Sequence, residues 1–269
     1  MSYDVIALDI DGTLTNSKKE ITERTRHALI EAQKRGKKVI LASGRHNSAI
    51  QRYANELELA KYGGYIMSFN GGRIINASDN TIISEAYFPK EYICSVCDCV
   101  SGEDITVITY DKDTIVLNEK TNEYSDIEVR IIGLPYKVVD NFIGYITFDI
   151  NKILLTGEPS LIDRYKKIIE KKYSGILDVF KSCPFFLELM PYGINKGTGL
   201  SFLSQKTGFT REQLIACGDS FNDISMIEYA GLGVCMQNGE NDVKRIADVI
   251  ADSNDNDGIA EIVEKYMLQ

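Results

Sequence analysis

The amino-acid sequence predicts an α/β protein with a doubly wound parallel-sheet core and an inserted α+β domain. Three observations favour this class: short apolar strands alternate with helix patterns near both ends, acidic motifs follow two of those strands, and paired strands interrupt the alternation in the middle. The 269 residues exceed the usual size of one compact domain, which leaves room for two.

The first part of the chain has the pattern of a parallel sheet. The apolar run Val5-Ile-Ala-Leu-Asp-Ile is typical of a strand buried on both faces. Thr22 is a predicted N-cap for a helix that ends at Gly36, because its apolar positions recur on one face. The elements predicted next are a strand at 38–42, a helix from about 46 to 58 and a strand at 65–69.

The middle of the chain changes from this alternation to paired strands. Two antiparallel hairpins are predicted, at 74–83 and at 105–117. A strand at 152–156, a helix from 160 to 172 that Pro159 opens, and strands at 177–180 and 185–189 follow. We therefore expect an inserted α+β domain at 86–188.

After Pro191 the alternation of helices and strands returns. The predicted elements are a helix at 196–208, a strand at 214–217, a helix at 222–229, a strand at 232–235 and two short terminal helices. A sheet that begins before an insert and resumes after it closes around that insert. Residues 1–85 and 189–269 are thus predicted to form one discontinuous core domain.

Charge and composition exclude several classes of function. The 30 Lys+Arg and 39 Asp+Glu give a net charge of −9, which repels phosphate backbones and anionic lipid, so we expect no nucleic acid as a partner. Because no apolar run approaches the roughly 20 residues of a spanning helix, we expect no membrane segment. The amino terminus lacks a basic region and the six scattered cysteines fit reduced thiols, which predicts a cytoplasmic protein of unspecified oligomeric state.

Asp9 and Asp11 stand where the first predicted strand ends, which is where α/β sheets bind ligands. Two carboxylates so close repel each other unless a cation or a proton neutralises them. Mg²⁺ is the natural counter-charge for such hard oxygen atoms. The alternative is an Asp-Gly turn that only shapes the following loop.

A second acidic motif, Gly218-Asp219-Ser-Phe-Asn222-Asp223, follows the predicted strand at 214–217. The carboxyl ends of two parallel strands lie at one edge of a sheet, so the two motifs can converge on one ion. Asp223 is compatible with two roles, either as a metal ligand or as the cap of the next helix.

Two further segments could hold an anion. Ser43, Gly44 and Arg45 close the second predicted strand, where a hydroxyl and backbone N–H groups meet a helix start. Lys196 begins the helix after the insert, and its charge at an already positive helix end is unfavourable without a phosphate nearby. A solvated surface lysine is the alternative for Lys196.

Together these segments resemble the haloacid dehalogenase superfamily, and within it the Cof-type hydrolases with a type-IIB cap. The resemblance spans nearly the whole chain and implies a Rossmann-like core with a cap inserted between the second and third motifs. The matching motifs are Asp9-x-Asp11-Gly-Thr-Leu, Ser43-Gly-Arg45, Asn70-Gly-Gly72, Glu188-Leu-Met-Pro-x-Gly-x-Asn-Lys196-Gly, Gly218-Asp219-x-x-Asn222-Asp223 and Ser253-Asn254-x-x-Asp257-Gly258.

The resemblance implies a role for each matched residue. Asp9 would attack phosphorus to form an aspartyl-phosphate, while Asp11 would protonate the leaving alcohol and then activate water. Mg²⁺ would be held by Asp9, the Asp11 carbonyl and Asp219. Asp223 would not bind the ion directly but would orient one of its ligands or a water molecule. The residues implied to hold phosphate are Ile10, Ser43, Gly44, Lys196 and Asn222, with Arg45 and Asn70 as substrate or loop contacts.

The function predicted from the sequence is therefore a Mg²⁺-dependent phosphatase for small organic phosphate monoesters, with sugar phosphates favoured. A phosphomutase acting on hexose phosphates is the nearest alternative, since it shares these catalytic residues. A non-catalytic sensor of a phosphorylated ligand or of Mg²⁺ is a further alternative, although such a module gains little from Asp9 and Asp11. His46 is expected to serve the start of a helix.

Overall fold

The computed structural model describes residues 3–118 and 121–269. Their contacts divide the chain into a core unit, Met1–Ser84 with Asn195–Gln269, and an inserted unit, Glu85–Ile194. The sequence analysis ends the insert at 188, but its last strand continues to Pro191 because that residue still pairs with Leu177 of the preceding strand. Within the described ranges, no helix combines the length and the apolar character needed to cross a membrane.

The secondary structure follows the order expected from the sequence, with several added short elements. In chain order the strands are β1 (Val5–Leu8), β2 (Lys38–Ala42), β3 (Tyr65–Ser68), β4 (Arg73–Asn76), β5 (Ile82–Glu85), β6 (Ile105–Asp111), β7 (Thr114–Leu117), β8 (Tyr136–Val138), β9 (Ile153–Gly157), β10 (Leu177–Cys183), β11 (Phe186–Pro191), β12 (Leu214–Gly218), β13 (Leu232–Met236) and β14 (Val249–Ala251). The helices are α1 (Glu23–Lys34), α2 (Asn47–Glu56), α3 (Leu59–Tyr62), α4 (Ile93–Cys99), α5 (Glu123–Ile132), α6 (Phe142–Tyr145), α7 (Pro159–Lys172), α8 (Lys196–Thr207), α9 (Ile224–Tyr229), α10 (Asn241–Ile246) and α11 (Gly258–Tyr266).

The core sheet has the strand order β14-β13-β12-β1-β2-β3-β4-β5, and it is parallel from β14 to β3. Apolar residues of α1, α2 and α11 pack on one face, and those of α8, α9 and α10 pack on the other. This arrangement confirms the predicted doubly wound sheet. Because β1 is central and pairs with both β2 and β12, the loops after these three strands emerge side by side.

Local signals fix the helix ends that adjoin this edge of the sheet. The Thr22 side chain accepts a hydrogen bond from the Thr25 N–H, as expected of an N-cap. His46 caps α2, where its Nδ1 accepts from the Ser48 N–H at 3.2 Å. The helix-start role predicted for His46 is confirmed.

The inserted unit contains a six-stranded sheet in the order β10-β11-β9-β6-β7-β8. Its neighbouring strands are antiparallel except for the parallel pair β7 and β8. Helices α4 and α7 bury their apolar residues against one face. The hairpin predicted at 105–117 is confirmed as β6 and β7. The strands of the hairpin predicted at 74–83 are also present, as the neighbouring strands β4 and β5 of the core sheet.

Candidate active site

The two acidic motifs meet at one edge of the core sheet. Leu8, the last residue of β1, is in register with Cys217 of β12, and the Asp9 N–H donates to the Cys217 carbonyl at 3.0 Å. Asp9 and Asp219 therefore lie side by side, each directly after one of two adjacent strands. The convergence that the strand-end positions predict is present in the structure.

A buried lysine joins the two motifs. The Nζ of Lys196 donates to Asp9 Oδ1 at 2.5 Å and to Asp223 Oδ1 at 2.6 Å. Lys196 is the first residue of α8, whose N-cap Asn195 accepts from the Thr198 N–H. Its side chain is fully buried, so the alternative of a solvated surface lysine is excluded. Burial acts to lower the pKa of Lys196. The negative charges of the two aspartates outweigh this effect and raise that pKa.

Of the two roles that the sequence left open for Asp223, its contacts show the capping role. Its Oδ1 accepts from Lys196, while its Oδ2 accepts from the backbone N–H groups of Asp219 and Ser220 at 2.9 and 3.0 Å. It thereby caps the short 3-10 turn at Phe221–Asp223 that precedes α9. Both oxygen atoms of this fully buried carboxylate are engaged with the protein.

Asp219 is held from the loop after β1. The hydroxyl of Thr13 donates to Asp219 Oδ1 at 2.8 Å. Gly12 lies directly behind the same carboxylate, and a Cβ on it would stand 2.5 Å from Asp219 Oδ2. Its φ of +80° also lies in the left-handed region that favours glycine. The contact and the backbone conformation each disfavour a larger residue at position 12.

The three carboxylates form a set that could hold a metal ion. Asp9, Asp219 and Asp223 each offer an oxygen, and these atoms lie within 4.8 Å of one another. Burial and then the Asp223 charge raise the pKa of Asp219 to about 6. Burial, with the charges of Asp223 and Asp219, also raises the pKa of Asp9 against the opposing effect of Lys196. The set has surplus negative charge and hard oxygen donors, which fit a divalent cation.

Asp11 lies two residues from Asp9 but in a different environment. Arg45 donates to both of its oxygens, Nε to Oδ2 and Nη2 to Oδ1, each at 2.7 Å. Lys19 Nζ adds a third bond to Oδ1 at 2.8 Å. Although partial burial acts to raise it, the two cations together lower the pKa of Asp11. Its carboxylate is not among the three that could hold a metal ion.

The loops predicted to bind phosphate lie next to one another. The Asn70 N–H donates to the Ser43 carbonyl at 2.9 Å, and the Ser43 hydroxyl accepts from the Arg45 N–H at 3.2 Å. Asn222 Nδ2 donates to Asn70 Oδ1 at 3.0 Å. A Cβ on Gly44 would stand 3.0 Å from the Asn70 side chain. The loops after β2, β3 and β12 therefore meet around Asn70.

Ile10 and its turn complete the site. Ile10 is fully buried, and its carbonyl accepts from both the backbone N–H and the hydroxyl of Thr15 at 2.9 Å. Two asparagines support this turn: Asn238 donates to the Gly12 carbonyl and Asn254 donates to the Thr15 carbonyl, each at 2.8 Å. Sequence reasoning quoted Asn254 in a motif but assigned these two asparagines no role.

Comparisons with known proteins agree with this architecture. Residues 6–263 match the family described as haloacid dehalogenase-like hydrolase. YxeH of Bacillus subtilis, named as a candidate phosphatase, is 30% identical over 269 residues, which are 99% of each chain. The 5-amino-6-(5-phospho-D-ribitylamino)uracil phosphatase YcsE of Bacillus subtilis is 29% identical, covering 98% of this chain and 96% of that relative.

A solved structure resembles the whole chain as well. The crystal structure of a haloacid dehalogenase-like hydrolase from Bacteroides thetaiotaomicron superposes with a TM-score of 0.92 at 40% identity. The match covers 98% of this chain and 99% of that one. Because the family match runs from β1 to α11 and includes both acidic strand ends, this protein belongs to the haloacid dehalogenase-like hydrolases.

Proposed function

We propose that the protein is a Mg²⁺-dependent phosphatase that hydrolyses small organic phosphate monoesters through an aspartyl-phosphate on Asp9. The observation that carries the proposal is the contrast between Asp9 and Asp11, which lie two residues apart. Asp9 belongs to a buried acidic set bonded to Lys196, whereas Asp11 is held by Arg45 and Lys19. Two carboxylates in opposite environments are suited to two different roles in catalysis.

Asp9 is the nucleophile of the first half-reaction. Lys196 fixes its Oδ1, which leaves Oδ2 to attack phosphorus in line with the departing alcohol. The bond from Asp9 to phosphorus forms as the ester P–O bond breaks, and Asp11 supplies the proton to the leaving oxygen. Bound Mg²⁺, held by Asp9, Asp219 and the Asp11 carbonyl, would neutralise the acidic set and screen the nucleophile from the phosphate.

Asp11 acts as a base in the second half-reaction. Having given up its proton, it accepts one from the water that attacks the aspartyl-phosphate. The bond between Asp9 and phosphorus breaks, which restores the Asp9 carboxylate and releases inorganic phosphate. The proton that Asp11 gains from water is the one it donates to the next leaving group, so the cycle closes.

The transferred phosphoryl group is held by the loops around Asn70. We assign its oxygens to the N–H groups of Ile10 and Gly44, the side chains of Ser43 and Asn222, and the ammonium of Lys196. The meeting of these loops supports the assignment. Asp223 orients Lys196 and caps the turn before α9, while Arg45 and Asn70 contact the substrate or shape its loops.

Sugar phosphates are the favoured substrates in this proposal. The name of YcsE describes a substrate that carries its phosphate on a ribityl chain, which is a polyol. The inserted domain, predicted at 86–188, would supply the specificity for the alcohol. The six free cysteines support a reducing, cytoplasmic setting.

The decisive experiment is release of inorganic phosphate from a panel of small phosphate esters. Wild type is compared with Asp9→Asn, in Mg²⁺ and in EDTA. We expect turnover that needs both the Asp9 carboxylate and Mg²⁺. Isomerised hexose phosphates without free phosphate would instead identify a mutase, and a folded protein that binds Mg²⁺ without turning over any ester would identify a binding protein.

A further inference from the structure

Lys19 lies in the loop that follows the first acidic motif, and its side chain contacts Asp11. Its Nζ donates to Asp11 Oδ1 at 2.8 Å. Arg45, from the loop after β2, donates to both oxygens of the same carboxylate. The Asp11 carboxylate is therefore held between two cations that reach it from different loops.

The backbone at Lys19 is in a conformation that lysine rarely adopts. Its φ of 63° lies in the left-handed region, which is unfavourable for a residue with a long side chain. Asn16 keeps the loop closed: its Oδ1 accepts from the N–H groups of Lys18 and Glu20 at 3.0 Å, and its carbonyl accepts from the Lys19 N–H at 2.9 Å. Strained residues of this kind cluster at functional sites.

The loop is also tied to a distant part of the core unit. Asn254 donates to the Thr15 carbonyl at 2.8 Å, and Asp255 accepts from the Ser17 N–H at 2.7 Å. Both hydrogen bonds involve residues just before Lys19, namely Thr15 and Ser17. The position of the Lys19 backbone is therefore set by the core, and its ammonium reaches Asp11 from a fixed side.

The three hydrogen bonds are unevenly shared between the two Asp11 oxygens. A carboxylate has about four acceptor sites, two on each oxygen. Lys19 and Arg45 fill both sites of Oδ1, whereas Arg45 alone fills one site of Oδ2. Among the contacts of the described residues, one acceptor site thus remains, and it is on Oδ2.

We propose that Lys19 is a positioning residue for the hydrolytic half-reaction, in which it occupies Oδ1 so that Oδ2 of Asp11 takes the proton from water. This inference rests on the proposed function. In the balanced step, the water oxygen bonds to phosphorus, its proton goes to Asp11 Oδ2, and the electron pair of the breaking P–O bond returns to the Asp9 carboxylate. In the first half-reaction no oxygen of Asp11 has to accept a proton, so the occupancy of Oδ1 matters less there.

The test separates the two half-reactions with Lys19→Met. The ratio kcat/KM reports the steps through departure of the alcohol, whereas kcat also includes hydrolysis of the phosphoenzyme. We expect kcat to fall about tenfold, a part of what a general base contributes, while kcat/KM changes less than about twofold. A burst of p-nitrophenolate, equal in amount to the enzyme, should precede slow turnover of p-nitrophenyl phosphate.

Three matched variants identify which property of Lys19 matters. Lys18→Met removes the exposed neighbouring charge and should leave both parameters unchanged. Lys19→Arg keeps a cation and should restore at least about half of kcat. Lys19→Gly removes the cation but relieves the left-handed φ, so it should lose kcat as Lys19→Met does without lowering the Tm. If Lys19 had a purely structural role, Lys19→Gly would instead retain kcat.

The outcomes separate this inference from the proposed function. If Lys19→Met lowers kcat/KM as much as kcat, or changes neither, in an active enzyme, the inference about Lys19 is wrong and the proposed function stands. A wild type that releases no phosphate, or an Asp9→Asn variant that still gives a burst, overturns the aspartyl-phosphate proposal and the inference with it.

Discussion

Two clusters of charge, whose central carboxylates lie two residues apart in the chain, are built in opposite ways. Around Asp9, the buried carboxylates of Asp9 and Asp223 are bonded to the ammonium of Lys196, and the half-buried carboxylate of Asp219 lies beside them. Around Asp11, one half-exposed carboxylate has two cations, Arg45 and Lys19. We refer to these as the acidic cluster and the basic cluster. The pKa of Asp9 is raised in the first, and the pKa of Asp11 is lowered in the second.

The difference shows what each cluster needs for the proposed reaction. A nucleophile must be ionised, and Asp9 reaches that state most readily when a divalent cation balances the acidic cluster. A base must be ionised, and the two cations that hold Asp11 favour its ionised form. In the proposed reaction the metal therefore balances the charge around Asp9, whereas Arg45 and Lys19 already balance the charge of Asp11.

The largest effect we expect is loss of turnover in Asp9→Asn. The amide keeps the shape of the side chain but removes the nucleophilic charge, so phosphate release should fall by more than about 1,000-fold. The Tm should not fall, because the substitution removes one negative charge from the acidic cluster. Asp79→Asn, at an exposed turn carboxylate, is the control and should retain full activity. Residual turnover above one tenth of wild type would mean that a different group attacks phosphorus.

Lys196→Met tests whether the acidic cluster depends on the ammonium of Lys196. The substitution leaves the carboxylates of Asp9 and Asp223 buried without the ammonium that balances their charge, which should cost about 3 to 5 kcal/mol of unfolding free energy at neutral pH. Denaturant unfolding measures this loss. The loss should shrink at lower pH, where a proton can neutralise Asp9, whose pKa is raised.

A matched control lies on the same helix. Lys206→Met removes an exposed cation from the last turn of α8 and should change stability by less than about 0.5 kcal/mol. Equal losses in the two variants would contradict the view that Lys196 balances the acidic cluster. They would indicate instead that α8 is sensitive to any loss of charge.

Asp219→Asn is expected to stabilise the protein in the absence of metal. The folded-state pKa of Asp219 is about 6, above its ordinary value of 3.8, because burial and the Asp223 charge disfavour the ionised form. The folded state therefore binds a proton more tightly than the unfolded state, and stability falls as pH rises from about 4 to about 6. This difference is worth about 2 to 3 kcal/mol, and it is removed by the amide.

Unfolding free energies in EDTA between pH 4 and pH 7 measure this effect. Wild type and Asp219→Asn should be about equally stable at the acidic end, and the variant should be the more stable near neutrality. Added Mg²⁺ should stabilise wild type more than the variant, since ligand binding to the folded state adds to its stability. A variant that is less stable than wild type at pH 7 in EDTA would contradict the proposed surplus of negative charge.

The sequence could predict the acidic cluster better than the basic one. Asp9 and Asp219 follow apolar strands, and parallel strands bring their carboxyl ends to one edge, so the convergence follows from periodicity and topology. Lys19 reaches Asp11 only because an irregular loop holds it at a positive φ, and no periodic pattern marks that geometry. Side chains placed by loops are the part of a site that sequence patterns identify least well.

The same limit explains the elements that the sequence analysis missed in the inserted unit. Helix α5 buries Ser125 and Glu128 where an amphipathic pattern would place apolar residues, and Glu128 accepts a hydrogen bond from the Tyr110 hydroxyl. Strand β8 has only three residues, all of them exposed. Buried polar residues and so short a strand are not features that an apolar pattern identifies.

The smallest effect we expect, that of Asp11→Asn on stability, has the opposite sign to that of Asp219→Asn. The pKa of Asp11 is lowered, so its ionised form stabilises the folded state above its ordinary titration range, and this contribution is lost as pH falls below about 4. Solvent screens the ion pair between Asp11 and Lys19, because their side chains are 37% and 54% exposed. Replacing the carboxylate by the amide should therefore cost only about 0.5 to 1 kcal/mol of unfolding free energy at neutral pH. Unfolding at low and high salt measures it, since screening should reduce the difference. If the two amide variants shift stability in the same direction at pH 7, the two clusters are not oppositely charged, and the division of roles between Asp9 and Asp11 loses its electrostatic basis.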